Sequence, residues 1–217
     1  MINTELIRKT EDFLKDTFNN SAYLQEHPDE LTYRLEHSYR VANIGKQIAE
    51  AEGFNSTHMI IACLLHDISY CQEMCNKEQR MDHGRMAARI ARPFLNDLAL
   101  PSECINDILY GIAIHVDDEA DFEWKRTPFA ESISDADNID RFDVYRIYET
   151  LEYNAFSKLP LADKTHMVNS TLERLKGLRD LRQATQFAAI LWQQRIDYYI
   201  SFYDRLRVQL ESSSALL

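Results

Sequence analysis

The chain is short of the residues that turn a backbone, with 5 glycines and 5 prolines in 217 positions. An all-β fold needs more turns than these can supply, so the scarcity leaves a mostly helical chain. Basic charge is also in deficit. The 24 Lys and Arg against 35 Asp and Glu leave a formal net charge of -11. Duplex nucleic acid is bound through basic patches, so the charge argues against a duplex-coating protein. A small phosphorylated substrate is not, because a metal can neutralise its charge. Only four cysteines are present, Cys63, Cys71, Cys75 and Cys104. Cys71 and Cys75 lack a matching Cys or His pair, which makes a poor zinc signature and reads as a reduced, intracellular chain. No apolar run approaches a membrane span, and an opening that contains Glu5, Glu11 and Asp12 is unlike a signal peptide. No membrane association is expected, and a cytoplasmic location is the default. Without a repeat, a low-complexity tract or a linker, residues 1–217 read as a single domain.

What is present centres on Ile60-Ile61-Ala62-Cys63-Leu64-Leu65-His66-Asp67. An apolar run ends abruptly in a histidine beside a carboxylate. Burying either group unpaired costs several kcal/mol, so the pair requires a compensating partner.

Helical periodicity accounts for most of the rest. Residues 3–19 carry Leu6, Ile7, Phe13, Leu14 and Phe18 on one face. His27-Pro28-Asp29 breaks that pattern, and Asp29 or Thr32 can cap a helix that runs to Glu52 and stops at Gly53. Its inner stripe is His37, Val41, Ile44 and Ile48. Asn55-Ser56 caps the central run. Ser69 to Asp82 is polar and aperiodic, and reads as a functional loop over a site. From Asp82-His83-Gly84 another helix is expected, kinked or ended near Pro93. Pro101 suits a first helical turn, and the stripe Ile105, Ile108, Leu109, Ile112 continues to His115. Val116 to Thr127 is acidic and irregular. From Pro128 the helical pattern returns with Phe129, Ile133 and then Asp137. The remainder is helical with no chemical motif. Its last helix, with Phe187, Leu191, Tyr198, Phe202 and Leu206, is expected to cover the core and also admits a homodimer.

The inward polar residues are His37, His66, Asp67, His83, His115 and Asp137. Each alone has an ordinary explanation as a core histidine or a helix cap. As a set they bring imidazole and carboxylate donors from several helices into an apolar interior. Such donors suit divalent Fe, Mn, Zn, Ni or Co.

In this order the residues resemble the HD-domain metal-dependent phosphohydrolases. The matching elements are His37-Ser38-Tyr39-Arg40-Val41-Ala42, Leu64-Leu65-His66-Asp67-Ile68, His83-Gly84, and Asp137 within Asp135-Ala136-Asp137-Asn138-Ile139-Asp140. The resemblance covers residues 30–145 and leaves 146–217 as a helical extension. It implies an all-α, single helical bundle of the HD-domain type with the metal site between helices. It also implies that His37, His66, Asp67 and Asp137 bind one divalent ion, with Asp135 a close competitor for the last place. Members with two ions use two further histidines in this interval, a role that His83 and His115 suit, and Asp67 would then bridge. One or two ions are implied, with Mg joining the metals above.

In one-metal members an acid soon after the HD pair is the candidate to activate water. Here Ile68, Ser69 and Tyr70 follow, and the first acid is Glu73. A hydroxide held between two ions is therefore the expected nucleophile, supplied at neutral pH by metal-lowered acidity of water. The implied catalytic residues are His66 and Asp67. Arg40 and Arg141, each one turn beyond a ligand, are candidates to hold phosphate. The expected reaction is hydrolysis of a phosphoester or phosphoanhydride of a nucleotide or other small phosphorylated molecule. The same six ligands resemble those of HD-fold di-iron oxygenases, and a non-catalytic nucleotide-binding sensor is a third reading.

Overall fold

In a computed structural model, residues 2–214 form ten α-helices and two short 3₁₀ turns, with no strand among the described residues. The all-α expectation holds. The chain divides into two compact units, Met1–Asn138 and Ile139–Leu217.

The first unit is built around α4 (Ser56–Leu65), whose residues Met59 to Leu65 are all buried. A helix that is apolar on every side must be surrounded, and α4 is. It packs on α1 (Thr4–Asn19), on α3 (Pro28–Glu52), and on α5 (Lys77–Asp97) and α6 (Ser102–Ile114). Fully burying Ile61, Leu64 and Leu65 contributes about 1.5–3 kcal/mol each. The Asn55 side chain accepts from the His58 amide and caps α4 as its sequence suggests. At the other end of α3, Gly53 takes the left-handed conformation that ends the helix, with φ 73°. The stripe His37, Val41, Ile44 and Ile48 is buried throughout.

Two boundaries differ from the sequence reading. The break at 20–28 holds a short helix of its own, α2 (Ala22–Glu26), and α3 starts at Pro28 with no side-chain cap. Proline at the first helical position lacks only a donor that would be unpaired anyway. Most of the expected Ser69–Asp82 loop is ordered: a 3₁₀ turn spans Ile68–Cys71 and α5 begins at Lys77. The start is fixed by Asn76 accepting from the Gln79 amide at 2.9 Å, while the Gln79 side chain accepts from the Cys75 amide at 2.8 Å. This reciprocal cap needs no apolar periodicity. Of the two outcomes expected near Pro93, a kink or an end, the helix does not end: α5 continues to Asp97. The first unit closes with α7 (Pro128–Asp140), which crosses the border between the units.

The second unit contains α8 (Val144–Tyr153), α9 (Leu161–Leu178) and α10 (Gln186–Glu211). Helices α9 and α10 pair, and the Trp192 indole donates to the Leu178 carbonyl at 3.0 Å. The buried stripe of α10 is Leu191, Trp192, Ile196, Tyr199, Tyr203 and Leu210. Of the residues expected on its inner face, Leu191 is buried, whereas Tyr198 is 52% exposed. No helix among the described residues is long and apolar enough to cross a membrane.

Candidate metal centre

All six polar residues singled out by the sequence meet inside the first unit. Helix α3 supplies His37. Helix α4 ends at His66 and Asp67, helix α5 supplies His83 from its second turn, α6 ends at His115, and α7 supplies Asp137. His37, His66, Asp67, His115 and Asp137 are buried, and His83 is the least enclosed.

Three of the imidazoles are set by one device. The Nδ1 of His66 lies 2.7 Å from the Cys63 carbonyl, that of His83 2.6 Å from Arg80, and that of His115 2.7 Å from Ile112. Each acceptor lies three residues back. A carbonyl oxygen cannot donate, so each Nδ1 carries a proton and donates it. In a neutral ring the Nε2 is then left as a bare lone pair.

Those Nε2 atoms converge on carboxylates and on one another. His83 and His115 are 3.0 Å apart at Nε2, and His37 and His66 3.3 Å. Asp67 Oδ1 lies 3.1 Å from His83, 3.6 Å from His115 and 3.7 Å from His66. Asp67 Oδ2 lies 3.6 Å from His37, and Asp137 Oδ1 lies 3.2 Å from His37 and 3.8 Å from His66. Lone pairs crowded this closely require positive charge between them. Burial pushes His66 down to about 4, so it stays neutral at ordinary pH and brings no proton of its own. Burial also opposes ionisation of Asp67, yet the surrounding imidazoles, His66 foremost, hold its carboxyl well below the usual range. Asp137 is likewise lowered against burial, chiefly by His37. For His83 burial is outweighed by Asp67, which raises its affinity for a proton. The cluster is an electron-rich pocket that draws in positive charge.

The donor set fits divalent metal. Two ligands of one ion, each about 2.1 Å from it and at right angles, lie about 3 Å apart, which is the spacing seen here. Three combinations bring their donor atoms within 4.8 Å of one another: His37 with His66 and Asp67, His66 with His115 and Asp137, and Asp67 with His83 and His115. Asp67 shares in two of them. Asp135 is buried on α7 and belongs to none. The Cys63 thiol beside the site is pushed up strongly by burial, which disfavours the thiolate that a metal would need.

Arg40 and Arg141 are the candidate phosphate ligands. Arg40 is half-buried on α3 with Glu36 3.9 Å away, and Arg141 is exposed in the second unit. The arginine that reaches Asp67 is Arg34, which the sequence reading passes over. Its Nη1 donates to Asp67 Oδ2 at 3.1 Å, its Nε and Nη2 donate to Glu30, and its guanidinium lies 3.3 Å from the Tyr70 ring centroid. Arg85 is also committed, donating to both carboxylate oxygens of Asp117 at 2.8 and 3.0 Å.

Similarity to known proteins agrees with this architecture. The HD domain family model matches residues 34–143, an interval that contains all six donors. The chain belongs to the HD-domain family. Its fold is similar to the crystal structure of a predicted HD superfamily hydrolase from an uncultured Thermotogales bacterium, with a TM-score of 0.64 at 18% identity. That match covers 93% of this chain and 91% of the other. No curated protein matches the chain.

Proposed function

We propose that the protein is a metal-dependent phosphohydrolase that cleaves a phosphoester or phosphoanhydride of a small molecule, with nucleotides the first candidates. The carrying observation is the threefold Nδ1-to-carbonyl arrangement, which aims three Nε2 lone pairs at Asp67. A histidine cluster built only for packing has no need of a common tautomer. In this reading His37, His66, Asp67 and Asp137 hold one divalent ion, and Asp67, His83 and His115 a second. Bound ions would supply Lewis acidity to phosphoryl oxygens and bring the pKa of water from 15.7 to about 7.

The chain's own residues do the rest. His66 and Asp67, rigidly seated at the end of α4, fix the donors that every other group meets. Asp67 turns Oδ1 toward His83 and His115 and Oδ2 toward His37 and Arg34, so this one carboxylate would serve both positions. The buried aliphatic side chains of α4 close the inner side of the site to water, so charges within it act in a low dielectric.

The test is a screen of chelator-stripped protein against nucleotides and simple phosphoesters, with manganese, cobalt or zinc restored, under nitrogen. Phosphate release that depends on metal and not on dioxygen is the expected result, and His66→Ala or Asp67→Ala should abolish both metal retention and turnover. Silence on every phosphorylated substrate, or turnover only with dioxygen, would contradict the proposal.

A further inference from the structure

A cleft of about 260 Å³ opens beside the metal centre, lined by Tyr23, Glu30, Arg34, Tyr70, Met74 and Arg80. Arg34 joins it to the centre, since the same guanidinium that lines the cleft donates to Asp67 Oδ2 at 3.1 Å. Tyr70 is a second link, with its ring centroid 5.0 Å from that of His83. A third is a hydrogen bond: His83 Nδ1 donates to the Arg80 carbonyl at 2.6 Å, so the Arg80 backbone belongs to the turn that aims His83.

The two arginines of the cleft are not equivalent. Arg34 has its donors engaged by Glu30 and Asp67 and its plane stacked on Tyr70. Its charge is spent on two carboxylates, and it serves as a positioning residue for Asp67. Arg80 is exposed, and its guanidinium makes no hydrogen bond or ion pair among the described residues. Glu30, the only carboxylate lining the cleft, is already held by Arg34 at 3.0 Å. Of the charged side chains that line the cleft, Arg80 is the one without a partner among the described residues. The volume lies at the low edge of the roughly 300–1,000 Å³ usual for ligand pockets, which suits a compact charged group better than a whole nucleoside.

We propose that this cleft is a second-anion subsite in which Arg80 holds an anionic group one phosphoryl unit away from the group on the metals. The ligand class is accordingly a diphosphate or longer phosphoanhydride, in preference to a simple monoester. A planar guanidinium recognises such a group through paired N–H donors. The inference deepens the phosphohydrolase reading and rests on it for the first phosphoryl.

The experiment uses manganese-loaded full-length protein and two phosphonates that resist hydrolysis. Calorimetry compares methylphosphonate, with one anionic group, and methylenediphosphonate, with two, and metal content is measured after each titration. Wild type is expected to bind the diphosphonate at least tenfold more tightly with its metal retained. Arg80→Ala should remove that preference and leave methylphosphonate affinity and metal content unchanged, while Arg80→Lys should restore part of it. An unchanged preference in Arg80→Ala overturns the subsite. Equal affinities of wild type for both compounds overturn it too, while leaving the one-phosphoryl reading intact. If the preference depends on Arg80 but the corresponding diphosphate is bound without being cleaved, the subsite stands and the hydrolase reading falls.

Discussion

At Arg34 the electrostatics of the centre separate into what a metal supplies and what the protein supplies. The guanidinium is 16% exposed and the Asp67 carboxylate 6%, so neither is well compensated by water. Without metal, Arg34 is the one permanent cation touching Asp67 among the described residues. Removing one partner of a buried pair typically costs about 3–5 kcal/mol. Arg34→Met is therefore expected to destabilise the chelator-treated protein by about that much, and the metal-loaded protein by clearly less, because bound cations take over the compensation of Asp67. Denaturant unfolding with and without chelator measures both. An equal loss in the two states would show that Arg34 contributes by packing and not by charge. The residue also marks a limit of pattern reading. Continuing forward from His37 singles out Arg40, but Cβ vectors on a helix lean toward its N-terminus, and Arg34, one turn back, is the side chain that reaches Asp67. His37, His115 and Asp137 stand out in the sequence because each lies on an apolar stripe, and His66 and Asp67 because they end an apolar run, whereas His83 only opens a helix ahead of its stripe. Arg34 and Arg80 do not stand out, because their roles depend on which carboxylates stand nearby.

Among the elements, the close approach of α5 and α6 controls the His83–His115 half of the centre. A side-chain carbon on Gly84 would meet the Ala113 carbonyl oxygen at 2.7 Å and the Ile112 carbonyl oxygen at 2.9 Å. Ile112 is the acceptor that orients His115. Gly84→Ala forces the helices apart at the point where both imidazoles are aimed. The expected cost is about 1–3 kcal/mol, as for other overpacked interiors, together with weaker binding of the ion assigned to His83 and His115. Thermal melting and a metal titration check the two effects, and wild-type values for both would show that α5 can shift without cost. This scale also shows why some elements were readable and others were not. Helices α3 and α4 announce themselves by stripes that end at Gly53 and begin at Asn55. The start of α5 is solvent-facing and held by the Asn76–Gln79 cap, so no apolar spacing betrays it. In α10 the tyrosines come in an adjacent pair, and a small phase error exchanges exposed Tyr198 for buried Tyr199.

For the molecule as a whole, the buried donors tie stability to pH. His66 sits near 4 against an ordinary value of 6.5 because it is buried. Its folded value lies below the unfolded one, so the unfolded chain takes up the proton first as pH falls. The contribution is complete above pH 6.5 and lost on the way down to about 4, amounting to roughly 3 kcal/mol at 1.36 kcal/mol per unit. His83 acts in a different window. Burial pulls it down but Asp67 raises it further, so its contribution is complete below pH 6.5 and lost above it. Metal-free protein should therefore melt at lower temperature as pH is lowered from 6.5 to 4, and a flat or rising profile over that interval would refute the assignment of a buried, neutral His66. The net charge of -11 acts against binding any anion, so an anionic substrate of the proposed kind would have to be drawn by bound ions and not by the field of the whole chain.

The most direct test of the central claim is the number of ions held per chain, measured by elemental analysis after stripping, reloading with manganese and removing excess metal. Two ions are the expected count in wild type, one in His83→Ala, and none retained in Asp67→Ala, whose carboxylate would serve both positions. A wild-type protein that holds no ion, or alanine variants that hold as many as wild type, would contradict it.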